Sequence, residues 1–163
     1  MTPGVSPLPD AGWRLTAPLY WVPSANRTTR EHWSARNRRV GVLTADLIWL
    51  RQSAQVPCAH TITRRSRVGA LVAERVESVV FERASLALTL YFGRRSRRDP
   101  GNFGQGAGAK SLVDGLVRAG WLADDDAEHL TCAEPVLHVD RGNPRIEIDL
   151  RPWDGMRRSG PHG

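Results

Sequence analysis

Four arginines within five positions, Arg94, Arg95, Arg97 and Arg98, run directly into Asp99, with Asn102 close behind. Further along stand Lys110, the only lysine in the chain, and three consecutive aspartates, Asp124, Asp125 and Asp126. Carboxylates that converge with no His or Cys immediately beside them suit a hard cation that prefers oxygen ligands, Mg²⁺ or Mn²⁺ rather than zinc. Phosphodiester hydrolysis uses such an ion to activate water and neutralise developing charge, and a nearby lysine or arginine adds stabilisation. Lys110 is the candidate for that role. Each signal alone has an ordinary explanation: an aspartate run is commonly a solvated turn, and Asp99-Pro100-Gly101-Asn102 has β-turn composition. The chemistry rests on their combination with a basic run and a short intervening helix.

The elements that must position these residues follow from periodicity. Ser85–Phe92 alternates, with Leu86, Leu88, Leu90 and Phe92 on one face, and reads as a half-buried strand that delivers the arginine run. Ala109–Ala119 reads as a helix burying Leu112, Val113, Leu116 and Val117 and ending at Gly120. That helix, about 12 residues and roughly 18 Å long, separates Asp99 from the aspartate cluster. The two groups meet only if the chain after Gly120 folds back along the sheet.

Upstream, Trp13–Val22 is β-prone, and Pro18 marks it as an edge or bulged strand. Ser34 is placed to cap a helix over Ala35–Gln55, whose Val40, Leu43, Leu47 and Leu50 form one apolar face, and Pro57 stops it. Residues 58–83 fit a hairpin or a short helix and are read as a strand with an insertion. Two further strands are expected near 134–140 and 144–150. The order β, α, β, α, β, β predicts an α+β fold, a small mixed sheet with helices packed on it. No repeat is visible at any solenoid period. The working domain spans 12–151, between tails at 1–11 and 152–163 whose Pro, Gly and small residues predict poor order.

At 163 residues and 40% hydrophobic content the chain can build one modest core, so a single site is expected. The 23 basic residues against 17 acidic ones give a net charge of +6, which favours a polyanionic partner, nucleic acid first, or an anionic membrane surface. All but one of those basic residues are arginine, a skew that a GC-rich coding sequence would also produce. Two cysteines, Cys58 and Cys132, do not describe a disulfide-stapled secreted domain. No leader pattern is visible, and no apolar run approaches the roughly 18 residues of a membrane span. A soluble, cytoplasmic protein with reduced thiols is expected.

The site segment resembles the active-site region of the RusA family of Holliday junction resolvases. The matching residues are Arg97-Arg98-Asp99-Pro100-Gly101-Asn102, then Lys110, then Asp114-Gly115-Leu116-Val117-Arg118-Ala119-Gly120, then Asp124-Asp125. Pro23-Ser24-Ala25-Asn26-Arg27 is similar to the family's N-terminal signature, and the resemblance runs in register from about Trp21 to Leu150, weakest over 56–83. It implies a homodimeric, Mg²⁺-dependent endonuclease for branched DNA, the four-way junction above all, acting in recombination and repair. Two sites in a two-fold dimer suit the symmetric nicking of two strands of like polarity.

By the same resemblance Asp99 and Asp125, with Asp124 beside them, are metal ligands. Lys110 steadies the scissile phosphate, and Asn102 and Arg98 position the site. Asn26, Arg27, Arg94, Arg95, Arg97 and Arg98 form the DNA surface, which Arg30, Arg36, Arg38 and Arg39 extend. The chain departs from the family at Gly101, where characterised members carry a third acidic residue, and in the longer run FGQGAGA before Lys110. Asp114, Asp124 or Asp126 could replace the lost ligand, or a water could; otherwise the scaffold binds junction DNA without cutting it.

Other patterns have ordinary readings. Gly104-Gln105-Gly106-Ala107-Gly108 lacks the spacing of a dinucleotide or P-loop fingerprint and reads as a flexible insertion. Cys58-x-His60 and His129-x-x-Cys132 lack the spacing of common zinc fingers. Arg64, Arg65 and Arg67 read as solvated surface. Trp13, Trp21 and Trp49 read as core or dimer contacts, and Trp33 as a loop residue able to stack on an unpaired base.

Overall fold

The computed structural model describes residues 2–25, 31–104 and 107–153. Its strands are β1 (Gly4–Pro7), β2 (Trp13–Ala17), β3 (His60–Val68), β4 (Leu71–Val79), β5 (Ala84–Phe92), β6 (Leu130–Cys132), β7 (Val136–Val139) and β8 (Arg145–Pro152). Its α-helices are α1 (Trp33–Ser53), the single turn α2 (Gly101–Gly104) and α3 (Ala107–Arg118). The fold is α+β. Six strands form one mixed sheet in the order β1-β2-β8-β5-β6, with β7 also paired to β5, while β3 and β4 form a separate pair.

β5 is the hub. It runs antiparallel to β8 (Leu88↔Ile148, Leu90↔Ile146) and parallel to β6 and β7. Its alternation survives in three dimensions because the sheet is buried on one face only. That face carries Leu86, Leu88 and Leu90 with Ile146, Ile148 and Leu150 of β8 and Leu15 and Ala17 of β2, all buried. Leu43, Leu47 and Leu50 of α1 and Leu112 and Leu116 of α3 join them in a single cluster. The opposite face is polar: Arg14 pairs with Asp149 at 2.6 Å and Glu147 at 3.2 Å, and Arg145 pairs with Glu147 at 2.9 Å.

The two long helices approach closely where α3 has no side chain. A Cβ on Gly115 would lie 3.3 Å from Leu43 and Leu47 of α1. Arg36 reaches from α1 to Asp114 at 2.8 Å, and Trp121, buried just past α3, donates its indole N–H to the Leu47 carbonyl at 3.0 Å. Gly120, at φ +74°, turns the chain out of α3, and the next residues run beside Val80 and Phe81 through hydrogen bonds at 2.9 and 3.0 Å.

Several expectations are corrected. Residues 1–11 are not wholly a tail, since Gly4–Pro7 gains a partner in β2 that composition does not reveal. Pro18 neither bulges nor exposes its strand: it lies just outside β2, which is interior, between β1 and β8. α1 begins two residues early, capped by His32, whose Nδ1 accepts from the Ser34 amide at 3.3 Å, so Trp33 lies on the helix and not in a loop. Of the tryptophans expected in the core or at a dimer contact, Trp21 is core and Trp49 is 56% exposed in the single chain, while Trp121 is also buried. Residues 60–79 are a hairpin. β8 continues through Pro152, and residues 154–163 of the expected C-terminal tail lie outside the described residues. No helix among the described residues is long and apolar enough to cross a membrane.

Candidate acidic site beside an arginine-rich loop

The strand β5 ends at Phe92 and the chain enters the arginine run. Among the described residues Arg94, Arg95, Arg97 and Arg98 have no carboxylate partner, although Arg98 stacks its guanidinium 3.9 Å over the Phe92 ring and donates to the Arg94 carbonyl at 3.1 Å. Uncompensated arginines on a loop produce a concentrated positive field, which attracts phosphate.

Asp99 then starts α2. Its Oδ1 accepts from the Gly101 amide at 3.0 Å, while its carbonyl accepts from the Asn102 amide at 3.1 Å. The carboxylate is exposed and lines a pocket of about 370 Å³ with Ser24, Arg97, Arg98, Asn102 and Phe103. Through Ser24 the Pro23-Ser24 end of the N-terminal motif arrives at the Arg-Arg-Asp-x-x-Asn element, a meeting that no local spacing in the sequence reveals. The closeness is tight: a Cβ on Gly108, at the start of α3, would fall 2.2 Å from the Pro23 carbonyl oxygen. Gly104 likewise faces Pro135 at 2.7 Å. These two glycines of the Gly-rich run serve close packing, and Gln105 and Gly106 lie outside the described residues. So do Asn26 and Arg27.

A second pocket, about 220 Å³, has Lys110 and Asp125 on its wall with Gly104, Leu88, Val113 and Cys132. Lys110 Nζ lies 3.7 Å from Asp125 Oδ2, with both side chains partly open to solvent. The turn at Gly120 thus puts Asp125 of the aspartate cluster beside the lysine of α3. Asp99 and Asp125 line two separate pockets, the first with Phe103 of α2 on its wall and the second with Gly104.

The remaining aspartates are otherwise engaged. Asp114 is held by Arg36. Asp126 Oδ1 accepts from the Glu128 and His129 amides at 2.9 and 3.0 Å and from the His129 imidazole at 2.7 Å, and the imidazole bond chiefly lowers its pKa. A histidine thus does sit beside the cluster, on the member furthest from Lys110 in sequence. Asp124 Oδ1 accepts from the Asp125 amide at 2.8 Å. Of the three proposed substitutes for a lost ligand, Asp114 and Asp126 have structural partners and Asp124 caps its own turn.

Among the described residues no three His, Cys, Asp or Glu side chains gather closely enough to hold a metal. Of the Cys and His pairs, His129 bonds to Asp126, Cys58 lies against Arg51 and Cys132 lines the Asp125 pocket. The oxygen donors of Asp99 and Asp125 suit Mg²⁺ in kind, and that ion is commonly held by one or two carboxylates together with substrate phosphates. Gly101 leaves space: a Cβ there would meet Asp99 Oδ1 at 3.4 Å, ordinary van der Waals contact. A third carboxylate at this position would therefore lie next to Asp99.

No protein-family model matches the chain, and no curated protein does either. The resemblance to the RusA family accordingly rests on its sequence motifs.

Proposed function

We propose that this chain is a Mg²⁺-dependent endonuclease of RusA-like fold that recognises branched DNA, the four-way junction above all, and cuts it as a homodimer in recombination and repair. The observation that carries the reading is the pairing of Lys110 with Asp125 at 3.7 Å, in a chain that also exposes Asp99 in a pocket lined by Arg97 and Arg98. Asp99 and Asp125 would hold the ion, with Asp124 adjacent. A divalent ion there would acidify a water and neutralise charge on the phosphate being cut. Mn²⁺, with the same preference for oxygen ligands, would substitute.

The chain's own residues do the rest. Arg94, Arg95, Arg97 and Arg98 draw the backbone in, and their contact with phosphates carries no sequence information, which suits recognition by shape. Lys110 donates to the scissile phosphate. Asn102, beside Asp99, holds the strand in place. A DNA substrate of this kind would place the protein in the cytoplasm.

A second reading has its own support in Gly101, where the family pattern has an acidic residue: a junction-binding protein that does not cut. Incubating a synthetic four-way junction with the protein and Mg²⁺ or Mn²⁺ separates the two. Metal-dependent nicks support the nuclease; tight, salt-sensitive binding with no product supports the second reading.

A further inference from the structure

β3 and β4 stand apart from the main sheet as a two-stranded ribbon, in register from His60↔Val79 to Val68↔Leu71 and turned at Gly69, whose φ is +63°. Along its whole length only Val79, at the root, is buried. Val68, Leu71, Val72 and Val76 are 67%, 76%, 59% and 68% exposed. An isolated two-stranded ribbon is marginal in water, and Val68 and Leu71, paired at the tip, put two exposed apolar side chains on one face of it, with Val72 and Val76 on the other, as on a surface that another molecule covers.

The charges narrow the choice of molecule. Four arginines, Arg64, Arg65, Arg67 and Arg75, face two glutamates, Glu74 and Glu77. Arg65 and Arg75 are mostly solvent-exposed, and their contacts with Glu74 (2.8 Å) and Glu77 (3.2 Å) are surface ion pairs of the kind worth little, readily exchanged for phosphate. Arg67 has no carboxylate partner among the described residues. A second copy docking along the β3 edge would bring two Arg64–Arg67 runs together, and like charges in apposition oppose such pairing. DNA has the opposite charge, its major groove admits a two-stranded β-ribbon, and apolar side chains that enter DNA do so by wedging between base steps.

The root of the ribbon adjoins the candidate site. Val80 and Phe81 donate to the Gly120 and Trp121 carbonyls at 2.9 and 3.0 Å, and Ala123, two residues before Asp125, donates to Phe81 at 3.0 Å. We propose that the ribbon is a DNA-gripping arm whose tip, Val68 and Leu71, enters the open centre of a branched duplex while its arginines hold the flanking phosphates. This rests on the branched-DNA reading above and assigns the substrate a second contact surface.

The test measures affinity for a four-way junction and for a linear duplex of the same sequence, in EDTA so that no cutting intervenes. It compares the full chain with V68S/L71S and with R65Q/R67Q/R75Q, each checked for an unchanged thermal unfolding midpoint, and follows the oligomeric state without DNA by sedimentation. The tip variant is expected to lose about tenfold in junction affinity and little for linear duplex. The arginine variant is expected to lose affinity for both and to show a shallower salt dependence, by roughly one unit of slope per phosphate contact removed. Unchanged junction affinity in the tip variant, equal loss on both DNAs, or a change in oligomeric state would overturn the arm. If the unaltered chain shows no preference for the junction, the branched-DNA reading falls with it; loss of cleavage alone leaves the arm standing.

Discussion

Lys110 on α3 places its Nζ 3.7 Å from Asp125 Oδ2 on the loop beyond that helix, so a lysine and a carboxylate 15 positions apart share one pocket wall. Both are well exposed, and an ion pair of this kind contributes under about 1 kcal/mol to stability. Lys110→Ala should therefore leave the unfolding midpoint nearly unchanged while lowering junction cleavage by about 10²- to 10³-fold, the usual effect of removing one charge-stabilising donor. Thermal melts and single-turnover nicking, measured together, check it; a large stability loss would mean that the pair serves the fold.

Gly101 offers a gain-of-function test. The open space beside Asp99 admits a side chain, and an added carboxylate would supply the charge and coordination position that the family pattern has there. Gly101→Asp should lower the Mg²⁺ concentration giving half-maximal cleavage. In a protein that binds without cutting, the same change should create metal-dependent nicking. No change in metal dependence would remove position 101 from the site.

Gly108 joins the N-terminal motif to α3. A methyl group there meets the Pro23 carbonyl at 2.2 Å, and backbone must move to admit it. Gly108→Ala should cost about 1–3 kcal/mol of stability, as overpacking usually does, and should weaken DNA binding by displacing Ser24 from Asp99 and Asn102. Urea unfolding and junction affinity report the two effects. Loss of stability with unchanged binding would separate Pro23-Ser24 from the DNA surface.

The pH dependence of stability has a defined direction. Asp126, through its His129 hydrogen bond, and Asp140, through its bond from Arg145, have pKa values lowered below the ordinary aspartate value of about 3.9. A carboxylate depressed in the folded state contributes fully above its unfolded value, and that contribution drains away as pH falls through the lower folded value. Acid should therefore destabilise the 126–129 and 140–145 turns below about pH 4, and Asp126→Asn should flatten that part of a plot of unfolding midpoint against pH. An acid limb identical in the variant would contradict this assignment.

The legible parts of the fold were those with one buried face. β5 alternates because helices cover a single side of the sheet, and Val40, Leu43, Leu47 and Leu50 repeat because α1 buries one stripe. The ribbon gave no clear pattern because both its faces meet solvent, so no alternation was imposed on it. β1 depends on β2 for its pairing, and α2 is a single turn that its Asp99-Pro100-Gly101-Asn102 sequence encodes as a bend. The site motif was legible in its order, but not in which carboxylates stay available. Asp114 is claimed by Arg36, 78 positions away, and no spacing rule reveals such a partner.

Divalent-metal-dependent nicking of a four-way junction by the full chain and by Asp99→Asn and Asp125→Asn tests the central claim most directly. The unaltered protein is expected to cut with Mg²⁺ or Mn²⁺ and not in EDTA, and each variant to bind the junction at least as tightly while cutting undetectably. Cutting by either variant at the rate of the unaltered chain would contradict the account.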